Sequence, residues 1–255
     1  MVKIIGRRIE ARPEEVFIDT DNGVFVYPKK VDSLITATQI DPSHYVLVQE
    51  GDTATYALSS KQQLGGLNFI QMNVEALRKG LPLASVKNIT PYHRNVNLAL
   101  QGKGVLYDAS GSVIEGDRLE QCGNAVNNAF VYLNNSYENG SGFLGLDVVR
   151  ITGLDAEGKP VMERQPLEEC VVDCWADIQE PLNSQGYYTK RAPVQKFEKG
   201  RTVYAGTPTV GSVAGLLAGS GVALLGGYRN PLGAFSGLGG FLRAEGTAQK
   251  LGENK

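Results

Sequence analysis

The chain has 255 residues, 31 of them glycine, with 25 Lys and Arg against 27 Asp and Glu, 3 cysteines and 2 histidines. A net charge of −2 gives no general pull towards nucleic acid or anionic membrane, and an apolar content of 42% excludes a disordered acidic or basic tract. Three cysteines cannot build a disulfide framework, and two histidines leave little material for metal or acid–base chemistry.

The first residues, Met1 to Arg8, hold no uninterrupted apolar stretch and no small-residue cleavage site, so cytoplasmic synthesis without a signal peptide is expected. In that setting the Asn-x-Ser/Thr matches at Asn88, Asn134 and Asn139 read as turns, and Cys122, Cys170 and Cys174 as reduced thiols. From Val16 to Tyr27, two β-rich runs flank Asn22-Gly23, a pair that tolerates the positive φ of a tight hairpin turn. Asp19 and Asp21 superficially suggest a calcium loop, but the glutamate that loop needs is replaced by Lys29. Short strands are then expected at Ser33–Gln39, Tyr45–Gln49, Thr53–Leu58 and Leu67–Met72, a helical turn at Asn73–Lys79 and a strand at Val96–Gln101. Gly104–Glu115 reads as a second hairpin.

From Asp117 to Asn134 the period changes. Leu119, Cys122, Val126, Ala129, Phe130 and Leu133 share one helical face, with Asp117 placed as N-cap. Gly142–Ile151 and Lys159–Arg164 bracket a third hairpin. Leu167, Cys170, Val171, Cys174, Trp175 and Ile178 then fit a second amphipathic helix starting at Pro166, with a strand through Val171–Ala176 as the competing reading. The fold class expected is a β-rich α+β protein: an antiparallel, hairpin-built body with two amphipathic helices and a Gly-rich apolar C-terminal arm.

The arm is marked by composition. No charge occurs from Thr202 to Tyr228, and the run 206–240 holds 11 of the glycines. The expected division is therefore a body over 1–200, with a sub-boundary near 103–117, and an arm over 201–255. Gly211, Gly215 and Gly219 recur every four residues, which in a helix makes a smooth ridge for close approach of a neighbour. Six glycines in twenty residues also weaken a helix by about 1 kcal/mol each. Three states stay open for this segment: an arm packed on neighbouring chains, a membrane-associated segment over 209–242, or a flexible tail.

Chemistry is sparse. No phosphate loop or nucleophile elbow occurs. Cys170 and Cys174 could offer two sulfurs to a metal, but a tetrahedral site needs two more ligands. His44 and His93 lie beside prolines, and either could serve as a general base if a nucleophile converged on it. The basic run Tyr187–Arg191 with Lys196, Lys199 and Arg201 reads as a solvated approach to the arm. The function expected is a non-enzymatic structural protein of a virion or other large particle, with no cofactor, metal or nucleic acid. Its partners would be copies of itself or other structural proteins, met through Gly211, Gly215, Leu216, Gly219, Leu224, Leu225, Phe235 and Phe241. A membrane-associated or membrane-penetrating protein is the alternative, and an enzyme built around His44 or His93 the third reading.

Overall fold

The computed structural model describes residues 2–4, 7–9, 15–20, 23–28, 40–50, 53–128, 130–219, 222–228 and 239–250. Two short antiparallel pairs come first: β1 (Val2–Ile4) with β2 (Arg7–Ile9), and β3 (Glu15–Thr20) with β4 (Gly23–Pro28). The second pair is the hairpin expected at Asn22-Gly23, with Thr20 opposite Gly23, so Gly23 opens the return strand rather than completing the turn. The strand expected at Ser33–Gln39 lies outside the described residues.

β5 (Tyr45–Glu50) and β6 (Thr53–Ser59) follow, then three α-helices: α1 (Phe69–Arg78), α2 (Val86–Leu100) and α3 (Gly116–Asn127). The small pair β7 (Leu106–Tyr107) and β8 (Val113–Ile114) lies between α2 and α3 and is the second expected hairpin. β9 (Phe130–Asn139), β10 (Leu146–Leu154), β11 (Pro160–Pro166), β12 (Cys174–Asp177), β13 (Thr202–Ala205), β14 (Val213–Gly219), β15 (Val222–Tyr228) and β16 (Arg243–Lys250) are the remaining elements among the described residues. The fold is thus mixed α+β with substantial antiparallel strand content.

Local chemistry explains the first two helices. Asn68 and Gln71 bond each other's backbone N–H at the start of α1, at 2.9 and 3.2 Å. Gly80 N–H to Leu77 and Leu81 N–H to Ala76 close its end. At the start of α2, Ser85 N–H donates to Asn88 Oδ1 at 3.0 Å. The strands expected at Leu67–Met72 and Val96–Gln101 are therefore helical. Short β-rich windows concealed them, and Pro91 sits inside α2, where a proline usually ends a helix.

The other two helical expectations change as well. α3 ends at Asn127 rather than Asn134, because Phe130 onwards pairs with β14 and β10. Its N-cap is Glu115, and Asp117 falls in the first turn. No helix forms over 166–178. Cys174–Asp177 is a strand, held by β13 from Cys174 opposite Ala205 to Asp177 opposite Thr202. Tertiary pairing decided both, since periodicity within a segment says nothing about which strand waits beside it.

The main sheet has seven strands in the order β11-β10-β9-β14-β15-β13-β12, and a second sheet has the order β16-β6-β5. Among the described strands of the main sheet, β13 and β15 are the pair that runs parallel. Side-chain alternation along the strands feeds two cores. Val131, Leu133, Val148, Ala214 and Leu216 join α2 and Cys122 of α3, while Tyr132, Ile151 and Val213 join α1. In the second sheet Val46 and Leu58 join the first core, and Leu47 and Ala57 the second.

Strands β13, β14 and β15, from the segment expected to be an arm, therefore sit inside the main sheet. β14 lies between β9 and β15, with Leu216 opposite Val131 on one side and Leu225 on the other. Of the glycine ridge expected in a helix, Gly215 and Gly219 belong to a strand and Gly211 to the turn before it. A Cβ at Gly215 would lie 3.0 Å from the Val131 carbonyl oxygen, so the small residue permits close packing onto β9.

Candidate functional site

α2 carries a polar stripe at Thr90, His93 and Asn97, continued by its C-cap Gln101, spaced three or four residues apart and so aligned on one side. A surface helix would turn such a face to water. In this fold Thr90, His93 and Asn97 are buried, with His93 only 4% exposed. Buried polar atoms need partners, and most are supplied locally. Thr90 Oγ1 donates to the Val86 carbonyl at 2.9 Å, and Gln101 Nε2 donates to the Gly200 carbonyl at 2.6 Å. Asn97 Nδ2 donates to the His93 carbonyl at 2.8 Å, and Asn127 Nδ2 of α3 donates to Asn97 Oδ1 at 3.1 Å.

His93 also borders a small cavity, together with Ile89 and Thr90 of α2, Tyr188, Val203 of β13 and Leu216 of β14. The cavity volume is about 10 Å³. Burial pushes the imidazole down to about 4, and its hydrogen bond with Asn127 offsets part of that shift. His93 is consequently neutral at pH 7. Its Nε2 is buried with no hydrogen-bond partner from the protein. The arrangement leaves a neutral imidazole beside a small, mostly apolar cavity. It does not pair a nucleophile with a base, because the Thr90 hydroxyl proton is committed to Val86.

His44 is elsewhere. It is exposed at the end of a short turn over Pro42–His44, with Nδ1 3.8 Å from Asp41 Oδ2. Ser43 next to it resembles part of a triad only in composition. Its Oγ donates to Asp41 Oδ1 at 2.7 Å, as does its backbone N–H at 2.9 Å, which makes Asp41 the cap of that turn. These bonds hold the Asp41 carboxyl below the usual carboxylate range.

Cys122, Cys170 and Cys174 are free and buried. Burial raises all three thiols, Cys170 to about 11 with the neighbouring Cys174 and Glu169 adding to it. They are protonated packing groups at neutral pH. Among the described residues no three His, Cys, Asp or Glu side chains come together as metal ligands, and no helix is long and apolar enough to cross a membrane. The basic run is matched by acids: Lys190 lies 3.1 Å from Glu180, and Arg201 lies 3.2 Å from Asp177 and 3.0 Å from Glu198.

The residues expected to meet a neighbour are distributed differently from the expectation. Gly211 stands exposed in the turn before β14, with its N–H bonded to the Tyr137 carbonyl at 2.8 Å. Gly215 and Gly219 lie in β14, and Leu224 and Leu225 in β15, where they pair with Tyr204 and Ala205. Leu216 is 2% exposed and Phe241 fully buried, with the Phe241 ring edge-on to Tyr92 at 5.5 Å. Both complete this chain's own core, so a neighbour would not meet their side chains. Phe235 lies outside the described residues. The α2 stripe itself went unread in the sequence, although its 3-4-4 spacing was present, because a strand was assigned to its C-terminal half.

No protein-family model, no curated protein and no solved structure matches the chain.

Proposed function

We propose that the chain is a non-enzymatic structural protein that assembles with copies of itself or with other structural proteins, as a component of a virion or another large particle. One observation supports this reading most directly, the contrast between the two ends of the main sheet. At the β12 end the chain covers its own edge. Gln195 bonds the Trp175 backbone through both N–H and C=O, and the Ala192 N–H adds a third bond at 2.7 Å. At the other end β11 is the outermost strand among the described residues, with Val161 44% and Met162 53% exposed. An open strand edge is a template for another chain, and here Val161 and Met162 stand on it beside Glu163 and Arg164. The charges beside it are already matched from within: Glu163 lies 3.4 Å from Arg150, and Arg164 is paired with Glu138 and lies 4.0 Å from Asp147.

The β11 edge replaces the glycine-rich segment as the surface to test, because cutting at residue 200 would remove three strands of the main sheet. Light scattering on the full chain is expected to give a mass above the 27.4 kDa of one chain. Met162→Lys should lower that mass without changing the circular dichroism spectrum. A full chain that stays monomeric at high concentration, or an assembly indifferent to Met162→Lys, overturns the reading.

A further inference from the structure

We propose, resting on the reading of β11 as the assembly edge, that its occupant is β11 of a second copy, laid antiparallel about a two-fold axis at Met162. The backbone fixes which groups face outward. Asp155 N–H donates to the Lys159 carbonyl at 2.9 Å, and Leu167 N–H donates to the Leu146 carbonyl at 3.0 Å. The odd-numbered residues of this stretch therefore turn their backbone groups towards β10. Gly140 N–H to the Gly145 carbonyl at 2.9 Å agrees, since it commits the odd residues of β10 to β9 and leaves the even ones for β11. Pro160, Met162, Arg164 and Pro166 thus face the open side. Neither proline has an N–H, and Gln185 Nε2 already holds the Pro166 carbonyl at 2.8 Å. What remains is a short window: the N–H groups of Met162 and Arg164, and the carbonyls of Pro160, Met162 and Arg164. These have no partner among the described residues.

The window is complementary to itself, and its side chains choose the axis. An axis at Arg164 sets two guanidinium groups opposite each other, and one at Glu163 sets two carboxylates opposite. Like charges in directly opposed positions weaken a strand pair. An axis at Val161 runs Arg164 onto the turn at Gly158, and one at Gln165 meets the carbonyl that Gln185 holds. With the axis at Met162, each Met162 exchanges N–H and C=O with its own copy, and each Arg164 N–H donates to the opposite Pro160 carbonyl. Both N–H groups of the window are then used. Met162, 53% exposed in the single chain, covers its counterpart. Val161 stands opposite Glu163 of the second copy, and no like charges are opposed.

Cysteine cross-linking on the full-length protein reads the register. Residues opposed at the non-hydrogen-bonded positions of an antiparallel pair have Cα atoms about 4.5 Å apart, within reach of a disulfide. Val161→Cys mixed with Glu163→Cys should therefore give a covalent heterodimer under mild oxidation, several-fold more than Val161→Cys mixed with Gln165→Cys. The native thiols are buried, and the unmodified chain supplies the background. If the second mixture links as well as the first, the axis lies at Glu163 and the proposal is overturned. A failure of both mixtures to link overturns it too. Light scattering on the unmodified chain tells this apart from a failure of the assembly itself. A chain still assembled and sensitive to Met162→Lys loses only the Met162 axis, whereas a monomeric chain loses the axis and the assembly together.

Discussion

Gln195 acts as a one-residue strand against Trp175. Its Oε1 accepts from the Trp175 N–H at 3.0 Å, and its Nε2 donates to the Trp175 carbonyl at 3.1 Å. A single side chain thereby reproduces the pair of bonds that a neighbouring strand would make, and the edge at β12 is closed to other chains.

Gln195→Ala should lower the stability to unfolding by about 0.5–1.5 kcal/mol, the net worth of an exposed hydrogen bond that water can replace. It should also raise the tendency to associate, because a second edge becomes available. Urea titration and light scattering check the two effects separately. Unchanged values in both would show that Gln195 does not close the edge.

Phe241 decides whether the C-terminal residues belong to the body. It is fully buried against Tyr92, and the adjacent Leu242 carbonyl accepts from Ser59 N–H at 2.9 Å. Phe241→Ala should cost about 3–5 kcal/mol, as for other core aromatics. A detachable arm would tolerate the same change with almost no loss, so the midpoint of chemical denaturation separates the two outcomes.

His93 sets a pH dependence whose sign follows from its burial. Its folded value of about 4 lies below the 6.5 of an unperturbed imidazole, so the unfolded chain binds the extra proton first as pH falls. The associated stability is fully present above about pH 6.5 and is lost as pH drops towards 4, by roughly 3 kcal/mol in total. His93→Gln should flatten the stability curve across that window. Asp41 and Asp108, both held below their usual range, act at more acid pH, so they do not mask the comparison. Burial pushes the Asp108 carboxyl up, but bonds from Ser110, Ser112 and Arg118 outweigh it. A slope between pH 4 and 6.5 that survives His93→Gln would place the titration elsewhere.

Gly186 joins the segment before β13 to the first turn of α2. It has φ +91, and a Cβ there would lie 2.3 Å from Lys87 Cα, a backbone atom that cannot turn aside. Gly111 has a similar φ of +86 but open space around it. Gly111→Ala should cost about 1–2 kcal/mol from backbone strain alone. Gly186→Ala should cost clearly more, because the helix start must shift as well. Equal losses in the two variants would mean that the contact with Lys87 is not held in solution.

Much of the strand content was legible from residue types alone. Asn22-Gly23, the Gly104–Glu115 run and the Gly153–Gly158 turn each sit between β-rich windows, and all three became antiparallel pairs. The apolar stripe of α3 was legible for the same reason, since a helical period is a property of one segment. Its end at Asn127 was not, because the partners of Phe130 onwards lie some eighty residues downstream in β14. The burial of Cys170 and Cys174 was anticipated, yet the helix thought to bury them is absent. Cys174 opens β12, whereas Cys170 lies in the irregular stretch before it with Asp173 at φ +49 between them, so each thiol is buried by its own packing and not by a shared period.

Composition by itself determined that the run after residue 200 is unusual: charge-free over 202–228, rich in glycine and apolar. Only the tertiary structure decided what that composition is for. β14, whose Val213, Ala214, Leu216 and Ala218 are buried on both faces, has no solvent side on which to place charges, and its close neighbour β9 favours a small residue at Gly215. The same logic governs His93. The sequence supplied a histidine beside a proline, and only the packing of α2 against α3, β5 and β9 made that histidine buried and neutral.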